Sequence, residues 1–191
     1  MGSDLHRKKG GLKPGGKVYF LDAAHVLHAA VPSQGWIKRQ QTMQLKTNSG
    51  RNRLNILGAY SPDTQDLLYL EGRESVDAER VAQLLHKIRA ANPGIPLLLV
   101  LDNAPYNRAP AVTQVADELV IELLYLPTYS PNLNVIERFW KFLKRKVARN
   151  RYYPTFAEFR GAIQNLLANL PTYRDELAAL LTERFQLFTT S

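Results

Sequence analysis

Two aspartates in the sequence each follow a short apolar run, and their position makes them the first candidates for chemistry. Asp22 comes after the segment KVYFL, and Asp102 comes after PLLLVL. Two ionised carboxylates brought side by side repel each other, and a hard divalent cation such as Mg²⁺ relieves that repulsion. An aspartate after a strand is also typical of a turn. A metal site is therefore predicted only if the two aspartates lie together.

A third carboxylate, Glu137, stands near the start of a long amphipathic helix. The apolar residues of this helix recur at intervals of four, three and four residues, which predicts one face packed on a sheet; they are Ile136, Trp140, Leu143 and Val147. Glu137 lies at the edge of that stripe and can point toward the strand ends. The alternative is a carboxylate that complements the helix dipole, worth about 0.3–1 kcal/mol.

Basic residues dominate the same helix, and the whole chain carries a formal net charge of +8. Lys141 and Lys144 follow Glu137 by four and seven positions, so the three residues share a face. Basic side chains favour polyanionic partners, because phosphate contacts release counterions. The predicted DNA contacts on this helix are Arg138, Lys141, Lys144 and Arg145. A solvated basic helix is the alternative.

Four further residues are weaker candidates for the same interface. Lys38 and Arg39 stand in a segment that contains several turn residues, and an exposed DNA-contacting loop is predicted there. Asn103 and Asn134 lie next to or near two of the carboxylates and could orient them or contact phosphate. Roles in a turn or a helix cap are equally compatible with an asparagine at such positions.

The apolar patterning predicts three strands followed by alternating helices and strands. Strands are predicted at 17–22, 53–60, 66–71, 96–102 and 120–126, and helices at 76–91 (capped by Ser75), 110–119 and 133–149, with two more near 156–170 and 173–185. Short hairpin connections make the first three strands antiparallel. The sequence therefore predicts an α/β protein with a mixed five-stranded sheet and helices on both faces, which is the element order of the ribonuclease-H-like fold.

Composition limits the class of protein. The chain has 191 residues, 45% hydrophobic and 22% charged, which is typical of one globular domain. We assign residues 1–16 to a flexible arm and 17–191 to a single ribonuclease-H-like domain that includes the C-terminal helices. The chain has no cysteine, which excludes disulfides and thiolate metal sites. No apolar run approaches the roughly 20 residues that span a bilayer, so no membrane partner is predicted.

Three segments resemble the catalytic domain of mariner-type insertion-sequence transposases of bacteria. They are VYFLDAAH around Asp22, LLLVLDNAPYNRA around Asp102 and IELLYLPTYSPNLNVIERFWKFLKRKV around Glu137. The third segment is the most specific, and the 34 residues between Asp102 and Glu137 match the spacing of this branch. Two positions depart from the family pattern: Ala23 stands where many relatives have glutamate, and Val135 where many have proline.

The resemblance implies that Asp22, Asp102 and Glu137 are catalytic residues that hold two Mg²⁺ or Mn²⁺ ions. Such a site would cleave DNA phosphodiesters and join 3′-hydroxyl ends to target DNA. The implied partner is double-stranded DNA, as transposon ends and as target, bound by a homodimer. The implied location is the bacterial cytoplasm, in association with the nucleoid.

Two other functions stay open. One is a ribonuclease-H-like nuclease acting on branched or hybrid substrates, and the other is an inactive transposase remnant that only binds DNA. Relatives usually carry helix-turn-helix modules ahead of the catalytic domain, whereas fewer than 20 residues precede the first predicted strand. We therefore expect weak recognition of transposon ends by this chain.

Overall fold

The computed structural model describes residues 12, 14–30, 46, 48–49, 51–127 and 134–181. The strands are β1 (Lys17–Leu27), β2 (Arg53–Ser61), β3 (Asp66–Gly72), β4 (Leu97–Leu101) and β5 (Ile121–Tyr125). The helices are α1 (Ala78–Ala91), α2 (Pro110–Glu118), α3 (Val135–Ala148), α4 (Phe156–Ala168) and α5 (Arg174–Leu180), and a 3₁₀ turn (Leu170–Tyr173) precedes α5. Most of the predicted arm, Lys38, Arg39 and the segment 128–133 lie outside the described residues.

The five strands form one sheet in the order β3-β2-β1-β4-β5. The pairs β1–β2 and β2–β3 are antiparallel, and the pairs β1–β4 and β4–β5 are parallel. Parallel neighbours need a crossover connection, and α1 and α2 supply the two that this sheet requires. The predicted mixed five-stranded sheet is confirmed. Within the described ranges, no helix combines the length and apolar character needed to cross a membrane.

The sheet separates two hydrophobic cores, because successive side chains of a strand point to opposite faces. On β1, Phe20 and Ala24 join the core formed with α3, α4 and α5. Tyr19 and Leu21 join the core formed with α1 and α2. The predicted helices on both faces are therefore confirmed. Since Asp22 falls between Phe20 and Ala24 in this alternation, its side chain faces α3.

The predicted end of β1 at Asp22 is wrong. The strand continues five residues further, to Leu27. β4 pairs with β1 only as far as Phe20, and beyond that point β1 pairs with β2 alone. Asp22 therefore lies within a strand, at the place where β1 loses its parallel neighbour. Beyond Phe20, the side of β1 that faced β4 is open, at the carboxyl end of β4. This opening gives room for a functional site.

The predicted helix cap at Ser75 is also wrong. α1 begins at Ala78, and the side chain of Asp77 accepts a hydrogen bond of 2.9 Å from the N–H of Arg80. An aspartate satisfies such a helix-terminal donor as well as a serine does, so the presence of a serine at position 75 was not enough to locate the cap.

The predicted apolar stripe of α3 is confirmed. All four of its residues are buried, together with Val135, Phe139, Phe142 and Ala148. The packing of this stripe on the sheet sets the position of Glu137 in the first turn of the helix.

Candidate active site

The parallel pairing of β1 and β4 brings Asp22 and Asp102 to neighbouring places. The last paired residues are Phe20 and Val100, and each aspartate lies two residues further along its own chain segment. Paired strands run about 4.8 Å apart. The two aspartates therefore meet at the same edge of the sheet, as the sequence predicted, although only Asp102 follows the end of its strand.

Glu137, in the first turn of α3, is the third acid of the candidate site. Burial raises the pKa of Glu137; Lys141, one turn further along the helix, lowers it, and Asp102 raises it. Each of these influences acts over a short range, so Glu137 lies close to both groups. The three acids that the sequence singled out, from β1, the end of β4 and the start of α3, therefore lie within electrostatic range of one another.

The charge of Asp22 is poorly compensated. Burial raises the pKa of Asp22 to about 7 from an ordinary value of 3.8. The Ala23 backbone N–H lowers it, Asp102 and Glu137 raise it, and the Trp140 side chain lowers it. No Lys or Arg of the described chain is among these influences. A cation from outside the protein would therefore stabilise the ionised form of Asp22.

The acids fit Mg²⁺ or Mn²⁺ in kind, since hard divalent cations prefer carboxylate oxygens. Their present arrangement does not form a complete coordination shell: the described residues contain no group of three or more His, Asp or Glu side chains placed to hold a metal ion. The three carboxylates are neighbours, and their side chains would have to draw together around a cation.

The loop after β4 holds one oxygen of Asp102. Oδ1 accepts hydrogen bonds from the Ala104 backbone N–H (3.0 Å) and from Asn107 Nδ2 (2.7 Å). Within the described chain no hydrogen bond reaches Oδ2. Asn107 is 2% exposed. Sequence reasoning missed it, because an asparagine in a turn-like segment has no distinguishing signal.

Tyr106 is a second residue that sequence reasoning missed. Burial raises the pKa of its hydroxyl to about 12, and Asp102 and then Asp22 raise it as well. The phenol therefore keeps its proton at neutral pH and can donate a hydrogen bond near the two aspartates. Its position beside them comes from the loop between β4 and α2.

Asn103 is engaged at both ends of its amide. Nδ2 donates to the carbonyl oxygen of Leu126, and Oδ1 accepts a 2.7 Å hydrogen bond from Arg108 Nε. The first contact joins the ends of β4 and β5, and the second lies within the loop between β4 and α2. A phosphate contact by Asn103 stays a prediction and would require one of these bonds to open.

Asn134 precedes α3 without capping it through its side chain. Nδ2 instead donates a long hydrogen bond of 3.4 Å to the carbonyl oxygen of Leu21, while the buried Oδ1 has no partner among the described residues. This contact joins the start of α3 to the residue before Asp22. It supports the predicted role in orienting the site more than the capping alternative.

The basic residues of α3 divide into two groups. Lys141 and Lys144 are exposed, and within the described chain neither forms a salt bridge. Arg145 instead contacts Glu176 of α5 at 2.7 Å, and Arg138 is partly buried. DNA contact by these four residues stays a prediction, and Lys141 and Lys144 have the more available charges.

Solved structures share this fold. The "Mos1 transposase paired-end complex with left transposon end" is 15% identical with a TM-score of 0.68, covering 93% of this chain and 59% of that chain. The catalytic domain of Mos1 mariner transposase is 14% identical with a TM-score of 0.63, covering 93% and 88%. The catalytic core of BIV integrase is 18% identical with a TM-score of 0.52, covering 82% and 84%. The chain therefore has the ribonuclease-H-like fold, as predicted.

Family membership is more specific. Residues 17–160 match the family described as DDE superfamily endonuclease, and the chain belongs to that family. A curated relative, the uncharacterized protein y4pE/y4sA of Sinorhizobium fredii (strain NBRC 101917 / NGR234), is 32% identical over 81 residues, which are 42% of this chain and 58% of the relative. The chain thus spans less than two thirds of that relative and of the Mos1 chain in the paired-end complex.

Proposed function

We propose that this chain is the catalytic domain of a DNA transposase that cleaves DNA phosphodiesters and joins 3′-hydroxyl ends to target DNA. The observation that carries the proposal is the β1–β4 register, which places Asp22 beside Asp102, with Glu137 close by. Membership of the DDE superfamily endonuclease family supports it. So does the shared fold with Mos1 transposase complexes, two of which contain Mn or Mg.

Asp22, Asp102 and Glu137 are the residues that would hold two Mg²⁺ or Mn²⁺ ions. When bound, such ions lower the pKa of a water molecule and stabilise the leaving 3′ oxygen of an in-line displacement. Asn107 and the Ala104 N–H hold Oδ1 of Asp102, so that Oδ2 is the oxygen available to a cation. The loop therefore orients this ligand before a cation arrives.

The remaining groups act on the DNA. The protonated hydroxyl of Tyr106 can donate to a phosphate oxygen beside the two aspartates. Lys141 and Lys144 extend a positive surface from Glu137 along α3, where a DNA backbone could follow the helix. The proposed partner is double-stranded DNA bound by a homodimer. The Mos1 complex with a transposon end, which shares this fold, supports the DNA partner.

A plasmid-nicking assay tests the activity. Supercoiled plasmid is incubated with the chain and Mg²⁺ or Mn²⁺, with and without chelator. We expect nicking that chelator abolishes and that Asp102→Asn eliminates. Asp117→Asn, an exposed position on α2 on the other face of the sheet, is the matched control and should nick as the wild type does. Equal nicking by Asp102→Asn would overturn the assignment.

A second candidate function is DNA binding without cleavage, as in an inactive remnant. The absence of a complete metal-holding cluster among the described residues favours it. Isothermal titration with Mn²⁺ separates the two: a remnant would retain DNA in a mobility-shift assay but bind no Mn²⁺. Comparison of transposon-end duplex with RNA–DNA hybrid as substrate then separates a transposase from a ribonuclease-H-like nuclease.

A further inference from the structure

Trp140 of α3 lies over the sheet directly beside Asp22. Gly58 is the cross-strand partner of Asp22 on β2. A β-carbon added at Gly58 would lie 2.7 Å from Cη2 and 2.9 Å from Cζ2 of Trp140, too close for any real carbon contact. Only glycine at position 58 therefore leaves room for the indole. The indole packs over β1 and β2 at the cross-strand pair Asp22–Gly58.

An aromatic cluster holds the indole in one orientation. The Trp140 ring meets the Phe139 ring edge-on, with centroids 5.2 Å apart and an interplanar angle of 68°. Phe139 in turn stacks on Tyr60 of β2, with centroids 5.4 Å apart. Trp140 is 4% exposed. In such a close-packed environment a ring of this size has no room to turn, so the direction of its N–H is set.

The indole nitrogen Nε1 is buried, and among the described residues no acceptor forms a hydrogen bond of acceptable geometry with it. A buried N–H without an acceptor is destabilising, so some group is expected to receive it in the working state of the protein. Asp22 is the neighbour in question, because the Trp140 side chain is among the groups that lower the pKa of Asp22.

We propose that Trp140 is a positioning residue for Asp22, whose carboxylate accepts the indole N–H when it turns to bind a divalent cation. One carboxylate oxygen then faces the indole, and the other faces the cation. An uncharged donor suits this role, since it orients the ligand without neutralising the charge that attracts the metal. Outer hydrogen bonds of this kind commonly orient metal ligands. The inference rests on the proposed function in requiring that Asp22 binds a divalent cation.

The tryptophan content makes a direct test possible. The chain has two tryptophans, Trp36 and Trp140. In the Trp36→Phe variant, indole fluorescence reports on Trp140 alone. We expect paramagnetic Mn²⁺ to quench this emission with the same dissociation constant that isothermal titration gives, and Mg²⁺ to compete without strong quenching. Unchanged emission at saturating Mn²⁺ would place the ion elsewhere and overturn the proposal.

The second measurement is Mn²⁺ affinity in the Trp140→Phe variant, which keeps an aromatic ring and removes the N–H. We expect its dissociation constant to rise about 10–100-fold. Phe142→Leu is the matched control. Phe142 is also buried on α3, but it packs on Tyr173, and its replacement should weaken the core without changing Mn²⁺ affinity. Circular dichroism melts confirm that both variants fold.

The outcomes separate this inference from the proposed function. If the wild type binds Mn²⁺ and Trp140→Phe binds it no more weakly than Phe142→Leu does, the positioning role is overturned and the metal site stands. If the wild type binds no Mn²⁺, both the metal-dependent function and this inference are overturned. A selective loss of affinity in Trp140→Phe supports the inference.

Discussion

Asn107 Nδ2 donates a 2.7 Å hydrogen bond to Oδ1 of Asp102, five residues earlier in the chain. The contact joins two residues of one short loop, yet it decides which oxygen of the carboxylate remains available. Asp22 has a comparable neighbour in Trp140. Both are uncharged donors. Such donors can orient the carboxylates without neutralising them, so the negative charge of the site remains available to attract a cation.

Replacement of Asn107 tests the orientation of Asp102. Asn107→Ala removes a buried donor, and Oδ1 is then held by the Ala104 N–H alone. We expect Mn²⁺ affinity and metal-dependent nicking to fall about 10–100-fold, the usual effect of losing an outer hydrogen bond at a metal site. Asn165→Ala, an exposed asparagine on α4, is the control. Wild-type affinity in a folded Asn107→Ala protein would contradict the role.

The close approach of Gly58 to Trp140 gives a second prediction. Gly58→Ala places a carbon against the indole, and we expect a loss of about 1–3 kcal/mol in the free energy of unfolding. Urea denaturation measures it. The double variant Gly58→Ala, Trp140→Phe should recover part of the loss, because the smaller ring vacates the space.

Gly161→Ala is the control for that experiment. Gly161 lies within α4, and nothing stands within 4 Å of an added β-carbon. Alanine is the better helix former there by about 0.5–1 kcal/mol, so this variant should be stabilised. A Gly58→Ala protein as stable as the wild type would show that the ring can move aside and that its orientation is not set.

The raised pKa of Asp22 predicts a pH-dependent stability of the metal-free protein. The pKa is about 7 in the folded state against an ordinary 3.8, chiefly through burial and then through Asp102 and Glu137. The folded protein therefore binds a proton that the unfolded chain releases. The stabilisation from Asp22 is complete below pH 4 and is lost as pH rises through 7.

The Asp22→Asn variant has no carboxyl group to ionise at this position, so it should not lose stability in this way as the pH rises. In chelating buffer we expect the variant to be more stable than the wild type at pH 8, by up to roughly 4 kcal/mol, and to gain much less at pH 5. Thermal melts at the two pH values measure the difference. Mg²⁺ should stabilise the wild type at pH 8 and not the variant. An equal gain at both pH values would mean that Asp22 does not titrate in this range.

The charges of α3 predict the salt dependence of DNA binding. Each phosphate contact contributes about 0.9 to the slope of log affinity against log salt. Replacement of both Lys141 and Lys144 by alanine should therefore reduce the slope by roughly two. Arg145→Ala should have a smaller effect, since its guanidinium already contacts Glu176.

Lys87→Ala is the control for the basic surface. Lys87 is exposed on α1, which packs on the opposite face of the sheet from α3. Fluorescence anisotropy with labelled duplex at several salt concentrations gives the slopes. If Lys87→Ala lowers the slope as much as Lys141→Ala does, the DNA does not follow α3.

Local periodicity was enough to predict the elements and their type. The run LLLVL of β4 is buried along its whole length, because a strand covered on both faces needs apolar side chains at every position. The stripe of α3 is buried because its spacing matches the helical repeat. Both patterns lie in neighbouring residues, so the sheet and its two helical layers could be predicted from them, and the three acids could be named as candidates.

Tertiary pairing decided the rest. β1 extends past Asp22 because β2 pairs with it there, and the pairing partner is some 30 residues away in the chain. Asn107 and Trp140 look in the sequence like a turn residue and a core residue. Their contacts with Asp102 and Asp22 arise only when the loop and α3 are folded against the sheet.

The sequence by itself determined which acids are candidates for the site, because each stands where an apolar run ends or a helix begins. The tertiary structure alone decided which oxygen of Asp102 is held, which ring packs over Gly58 beside Asp22, and which lysines of α3 form no salt bridge with another described residue. Those properties depend on contacts and burial between segments that are far apart in the chain, so they cannot be read from the local sequence around each residue.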